Sequence, residues 1–231
     1  MERPQKKRII IIVICAMLAF VLAFLAVSAI AGLVSGGLGF FAGVQSNASQ
    51  SNKPQKPSYK FYEADYNKNI LEDPDYLSKD RLIYIYDPRS GQTTSIVDDK
   101  DRERYDPAFQ LLCTMIDYII AGNADRYNDL FSSTYYATDG NQRKERFTMQ
   151  QLYAIKITVG GMTDEIDENG KKYTQYEYIV EYKIRENNGT FRDDIDSDAS
   201  RREQFIISNA NSKASTEFLI DQVSDYRYSY G

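Results

Sequence analysis

The chain has 231 residues and a formal net charge of −5, with no histidine and no tryptophan. The missing histidine excludes a Ser-His-Asp triad, a Cys-His pair and histidine-ligated zinc. Residues 53–231 carry 24 basic and 32 acidic side chains, and this negative balance argues against nucleic acid as a partner.

The first element is an apolar run without a charge, residues 9–44, which follows a basic tail at residues 1–8. A bilayer core of ~30 Å needs only ~20 apolar residues, so the run predicts a transmembrane anchor with a glycine-rich end. Lys and Arg are retained on the cytoplasmic side, and the basic tail precedes the run. We therefore expect a single-pass protein of the cell membrane, with a cytoplasmic N-terminus and its C-terminal domain outside.

A cleaved secretory signal is the alternative interpretation of this run. Ala29-Ile30-Ala31 has the small-x-small form of a cleavage site. However, a signal's apolar core is only ~7–15 residues long, and more apolar sequence follows the cut. Both interpretations place the domain outside the cytoplasm.

Small residues recur along the anchor at a spacing of four. Ser28, Gly32 and Gly36 share one face of a helix, and such faces let membrane helices approach closely and associate. This set is a candidate helix–helix contact. The alternative is that small residues are simply common in membrane helices.

Residues 45–58 contain mostly Ser, Asn, Gln, Lys and Pro, a composition typical of a flexible linker. An N-terminal extension at residues 59–105 follows. Within it, residues 82–86 and 93–97 predict two short strands around a turn that contains Gly91, so we expect a hairpin.

Residues 106–122 have a helical pattern. Asp106 is a candidate N-cap, Pro107 suits the first helical position, and Gly122 suits the end. Apolar residues recur at spacings of three and four and include Cys113, which we therefore expect in the core rather than as a reactive thiol. A second helix is expected at residues 124–134, and Thr148 could cap a short third helix through Leu152.

The remainder of the chain predicts antiparallel strands. They are expected at residues 153–159, 173–185, 202–208 and 216–228. Asn169-Gly170 is a strong hairpin signal between the first two. In the second, Tyr176, Tyr178 and Tyr182 alternate with polar residues and share one face.

This order of helices and then strands, over residues 106–228, resembles the nuclear transport factor two and polyketide-cyclase-like superfamily. The resemblance implies an α+β cone: two or three helices packed on a curved antiparallel sheet of about four strands, with the hairpin as an extra. One basic tail, one anchor and one outer cone also resemble the bitopic scaffold subunit of conjugation and type IV secretion channels. Enzymes of the superfamily use a His–Asp or Tyr–Asp pair in the cone, and the chain lacks the histidine.

Four tyrosines on strands are the candidate pocket residues: Tyr153, Tyr176, Tyr178 and Tyr182. Inside a cone, their hydroxyls could orient a small ligand. The alternative is aromatic packing on a sheet face with the hydroxyl at the rim.

An acidic run, Asp194-x-Asp196-x-Asp198, resembles the start of a calcium loop. Such a loop needs Gly at position six and Glu at position twelve, where this chain has Ala199 and Phe205. A solvated loop is the favoured interpretation, and weak Ca²⁺ binding outside the cytoplasm is the alternative. No metal and no cofactor is expected.

The expected function is a membrane-anchored extracytoplasmic interaction or assembly module without catalytic activity, of the kind found in a secretion or conjugation apparatus. The alternative is a small-ligand-binding cone tethered to the membrane. The expected partners are the lipid bilayer and a second protein or another copy of the chain. Nucleic acid is not expected as a partner, and a small ligand is expected only under the alternative.

Overall fold

The computed structural model describes residues 58–212 and 216–226. The basic tail, the anchor with Ser28, Gly32 and Gly36, and nearly all of the linker lie outside the described residues. Within the described ranges, no helix is long and apolar enough to span a bilayer. Lys56–Gly231 forms one compact unit of mixed α+β structure.

The described residues form six strands, five α-helices and one 3₁₀ turn at Ile70–Glu72. The helices are α1 (Pro74–Leu77), α2 (Asp99–Arg102), α3 (Pro107–Ala121), α4 (Ala124–Asn128) and α5 (Ser133–Ala137). The strands are β1 (Ile83–Asp87), β2 (Gln92–Ile96), β3 (Gln151–Ile166), β4 (Lys172–Arg185), β5 (Ser200–Ser208) and β6 (Leu219–Asp225).

All six strands belong to one sheet in the order β2-β1-β3-β4-β5-β6. This corrects the expected sheet of about four strands with a separate hairpin. The hairpin forms as predicted, but β1 pairs in parallel with β3, with Ile83 opposite Ile155 and Ile85 opposite Ile157. Its apolar residues are buried by this pairing, which explains why the hairpin does not stand alone.

Helix α3 confirms the helical prediction, including both of its ends. The Asp106 side chain accepts a hydrogen bond from the Phe109 amide, and Gly122 ends the helix in the left-handed region with a φ of 67°. Its buried side chains pack on one face of the sheet, which we call the inner face. Cys113 is fully buried there, as expected, and burial raises the pKa of its thiol to about 12.

The second predicted helix is interrupted, because residues 130–132 pair with β6. The Ser132 amide donates to the Ile220 carbonyl, and the Ile220 amide donates to the Leu130 carbonyl. The prediction of a short helix at residues 148–152 is wrong. Thr148 instead donates its backbone amide to the Thr190 hydroxyl, and β3 already begins at Gln151.

Strands β3 and β4 form the long central hairpin that the Asn169-Gly170 signal predicts. Alternate β4 residues are buried from Tyr178 to Ile184, so the predicted tyrosine face is the inner face. Strands β3 and β4 extend beyond the strands that flank them. Strand β1 pairs with β3 only as far as Thr158, and β5 pairs with β4 only as far as Gln175. Residues 164–174 therefore form a two-stranded end, and we call these residues together with the adjacent Met162 the ribbon end.

Candidate functional site

The inner face contains a cavity of about 310 Å³, which we call the inner pocket. It lies between α3, the short helices α4 and α5, the loop after β4, and strands β4 to β6. Its lining residues are Met115, Ile119, Tyr127, Tyr135, Lys144, Tyr182, Phe191, Arg192, Asp193, Asp194, Glu203, Phe205 and Val223. At ~30 Å³ per water molecule, the cavity has room for a ligand of about the size of an amino acid or a monosaccharide.

The floor of the inner pocket is apolar. Met115 and Ile119 come from α3 at helical spacing, and Phe205 and Val223 lie opposite one another on β5 and β6. Met115, Ile119 and Phe205 are almost fully buried. The floor is therefore part of the hydrophobic core and is held in place by it.

Aromatic side chains form one wall of the inner pocket, next to this floor. The Tyr127 ring meets the Phe147 ring edge-on at 5.8 Å and the Phe191 ring edge-on at 5.5 Å between centroids. Such edge-to-face contacts are the favoured geometry for aromatic pairs. Burial raises the pKa of Tyr127 and of Tyr182, so both phenols remain protonated and can donate hydrogen bonds near neutral pH.

Arg192 forms the centre of the charged side of the pocket. Its Nε and Nη2 donate to the two carboxylate oxygens of Asp194, at 2.7 and 2.9 Å, and its Nη1 donates to Glu203 Oε2 at 2.7 Å. Arg201 also donates to Asp194. The Asn187 side-chain amide positions the loop by donating to the Arg192 and Ile195 carbonyls at 3.0 and 2.8 Å. Two carboxylates therefore neutralise the Arg192 guanidinium.

These contacts shift the two carboxyl groups in opposite directions. Burial raises the pKa of Glu203, and Arg192 only partly opposes this. Burial also acts to raise the pKa of Asp194, but the hydrogen bonds and charge of Arg192 outweigh it and hold that pKa below its usual value.

Lys144 is the second cation of the pocket, and its environment differs from that of Arg192. Its Nζ donates to the Phe191 carbonyl at 2.8 Å and lies 5.4 Å from the centroid of the Phe191 ring. Burial and the neighbouring Arg192 lower its pKa. Among the described residues, no carboxylate lies within salt-bridge distance of Lys144.

The four predicted pocket tyrosines do not converge on one site. Tyr182 lines the inner pocket, and its hydroxyl accepts a 3.5 Å hydrogen bond from Arg192. Tyr178 is buried beside α3 and donates to Asp106 Oδ2 at 2.5 Å. Tyr176 packs on the Phe218 ring at 5.5 Å between centroids. Tyr153 donates to Asp198 Oδ1 at 2.7 Å.

The acidic run is divided among different partners. Asp194 holds Arg192, Asp196 accepts from the Lys60 amide at 3.1 Å, and Asp198 accepts from the Tyr153 hydroxyl. In the described part of the chain, no group of three or more Asp, Glu, Cys or His side chains is arranged to hold a metal ion. The run fixes the loop after β4.

Sequence reasoning missed Lys144, Arg192, Glu203, Tyr127 and Tyr135 as pocket residues. One signal was available: Glu203 is in phase with Phe205 and Ile207 on β5, so it belongs to the buried face. A charged residue in an apolar register needs a buried partner. The other residues come from loops and short helices, whose positions no periodicity predicts.

A larger cavity of about 470 Å³ lies on the opposite, outer face of the sheet. Its charged side chains already have partners: Arg202 Nε donates to Glu181 at 2.8 Å, and Lys156 lies 4.5 Å from the Tyr86 ring centroid. The inner pocket is the better candidate site, because it combines charged side chains with a buried apolar floor of Met115, Ile119 and Phe205. No family model, no curated protein and no solved structure matches this chain.

Proposed function

We propose that the chain is a membrane-tethered, extracytoplasmic binding protein that holds a small polar ligand in the inner pocket and does not catalyse a reaction. The observation that carries the proposal is the inner pocket itself, about 310 Å³ in volume, with an apolar floor and a charged side. Ligand sites usually combine these two features. The anchor and its orientation remain predictions from the sequence.

The chemistry of the pocket supports binding rather than catalysis. Arg192, Asp194 and Glu203 hold one another through charge-assisted hydrogen bonds. The phenols of Tyr127 and Tyr182 have raised pKa values, which makes them poor general bases near neutral pH. These groups can recognise a ligand through hydrogen bonds that are already oriented.

The test is a thermal-shift screen of the full chain in detergent against a library of small metabolites. We expect a subset to raise the melting temperature, because a ligand that binds only the folded state stabilises it. Val223→Phe, which fills the inner pocket, should abolish these shifts. Ile179→Phe places the same ring in the outer cavity and should preserve them.

Two outcomes would contradict the proposal. In the first, no compound raises the melting temperature of the wild-type chain, while the wild type and both variants are folded. In the second, the Val223→Phe variant responds to the same compounds as wild type, which would place binding elsewhere on the molecule.

The ribbon end favours a second candidate function, protein interaction or assembly. Met162 and Ile166 lie on the same face of β3 and are 59% and 63% exposed. Two exposed apolar side chains on one face at the end of a sheet offer a contact surface for another protein. This candidate corresponds to the interaction or assembly module expected from the sequence.

Chemical crosslinking of the full chain in native membranes tests the second candidate. The double variant Met162→Ser/Ile166→Ser should lose a crosslinked species that the wild type forms. Val97→Ser is the matched control, because Val97 is 69% exposed but lies away from the ribbon end. An unchanged pattern in the double variant would reject the ribbon end as an interface.

A further inference from the structure

The inner pocket contains two oppositely charged side chains, Lys144 and Asp193, which attract each other but form no salt bridge among the described residues. Lys144 has no carboxylate within salt-bridge distance among the described residues, and Asp193 forms no described ion pair or hydrogen bond. Both line the same cavity of about 310 Å³. Their opposite signs indicate a ligand that carries both an anionic and a cationic group.

Arg192 is the less available cation for the anionic group of such a ligand. Its Nε, Nη1 and Nη2 already donate to Asp194 and Glu203, so two carboxylates balance its charge. The Lys144 ammonium has three donors, and one of them is used by the Phe191 carbonyl. Lys144 therefore retains donors for a carboxylate.

Asp193 lies at the rim of the pocket, where its side chain is exposed, whereas the floor of Met115, Ile119 and Phe205 is buried. A ligand that enters the pocket would thus place an apolar group on the floor and a charged group at the mouth. Removing apolar surface from water favours binding. The charged pair then adds orientation and specificity.

We propose that the inner pocket binds a free α-amino acid with an apolar side chain, its carboxylate on Lys144 and its ammonium on Asp193. This inference rests on the proposed function and names its ligand class. The size of the cavity fits such a molecule, and the zwitterion supplies one partner to each unpaired charge. A ligand without the carboxylate would cover the half-buried Lys144 without pairing its charge, and a ligand without the ammonium would lose the contact with Asp193, so each should bind more weakly.

Isothermal titration calorimetry on the full chain in detergent tests the inference with two matched sets of probes. The first set is L-phenylalanine, L-phenylalaninamide and N-acetyl-L-phenylalanine, and the second is the same trio built on L-leucine. The amide lacks the carboxylate, and the N-acetyl compound lacks the ammonium. In at least one set, we expect the free amino acid to bind at least tenfold more tightly than either derivative.

Two variants test which side chain binds each charged group of the ligand. Lys144→Met should weaken binding of the free amino acid by about tenfold or more and leave the amide unchanged. Asp193→Asn should weaken the free amino acid and leave the N-acetyl compound unchanged. Lys171→Met is the matched control, because Lys171 Nζ also donates to a backbone carbonyl, that of Ala210 at 2.8 Å, but lies outside the pocket.

Derivatives that bind as tightly as the free amino acids would overturn the inference while leaving the proposed function standing. The absence of binding by all six probes would also overturn it, and the thermal-shift screen would then decide the proposed function separately. Equal losses in Lys144→Met and Lys171→Met would show that the effect is not local to the pocket.

Discussion

At the scale of single residues, the domain buries a charged group that its partners must compensate. The Arg192 side chain is 10% exposed and the Glu203 side chain is 19% exposed. Removing one partner of a buried ion pair leaves the other uncompensated, which usually costs more than the pair contributes when intact. Arg192 therefore matters for stability mainly because Glu203 and Asp194 lie beside it.

We expect Arg192→Met to destabilise the domain by about 3–5 kcal/mol at neutral pH, because it leaves Glu203 buried without a cation. The double variant Arg192→Met/Glu203→Gln should recover part of this loss, since the buried charge is then absent. The measurement is urea unfolding of the full chain, followed by circular dichroism. Arg89→Met is the control: its side chain is 74% exposed beside Asp87, so we expect a loss of about 0–1 kcal/mol.

The cost of Arg192→Met should also depend on pH. Burial raises the pKa of Glu203, so protonation of Glu203 stabilises the folded domain at low pH. This stabilisation is lost as the pH rises through the raised pKa. Asp194 has the opposite shift, so in the wild type its contribution is lost at low pH. The difference between variant and wild type should therefore shrink as the pH falls through the raised pKa of Glu203, and shrink further at still lower pH as Asp194 is protonated. A difference that grows on acidification would contradict this account.

At the scale of elements, the end of α3 is fixed by close backbone contact. Gly122 has a φ of 67°, and a Cβ there would lie 2.8 Å from the Met149 amide nitrogen and 2.9 Å from the Thr148 carbonyl carbon. The segment that leads into β3 thus passes directly over the helix terminus. This contact places Thr148, and hence the start of β3, relative to α3.

We expect Gly122→Ala to destabilise the domain by at least about 3 kcal/mol, because it adds a backbone clash to the cost of the left-handed conformation. Gly91→Ala is the matched control. Gly91 has a φ of 69°, but no described atom lies within 4 Å of its added Cβ, so the conformational cost alone applies, about 1 kcal/mol. Thermal unfolding of both variants measures the difference, and equal losses would show that the close approach is unimportant.

At the scale of the whole molecule, the proposed function requires the domain to lie on the extracytoplasmic side of the membrane. The sequence predicts this from the basic residues before the apolar run, because Lys and Arg are retained on the cytoplasmic side. The native Cys113 should not interfere with a test of orientation by cysteine labelling. It is fully buried, and burial raises the pKa of its thiol to about 12, so it should not react with a maleimide.

We expect Ser51→Cys to be labelled by a membrane-impermeant maleimide in intact cells. Gln5→Cys should be labelled only after permeabilisation, since the basic tail is predicted to be cytoplasmic. The wild-type chain controls for Cys15 and Cys113. Labelling of Gln5→Cys in intact cells would reverse the orientation, and a mature chain that lacks residues 1–31 by mass spectrometry would show a cleaved signal instead of an anchor.

The sequence by itself determined the elements whose pattern is local. The helix from Pro107 to Ala121 follows from its cap, its apolar spacing and its terminal glycine, and the β3–β4 hairpin follows from Asn169-Gly170 and alternation. These signals act within a few residues, where propensity and side-chain period decide the structure. The same alternation placed Tyr178 and Tyr182 on the buried face.

Only the tertiary structure decided how these elements combine. The parallel pairing of β1 with β3 and the break between α4 and α5 at the contact with Ile220 depend on partners distant in sequence. The inner pocket likewise draws Lys144, Arg192 and Glu203 from three separate segments. The physical reason is that a buried charge is stable only beside a partner, and local sequence does not reveal which distant residue that partner is.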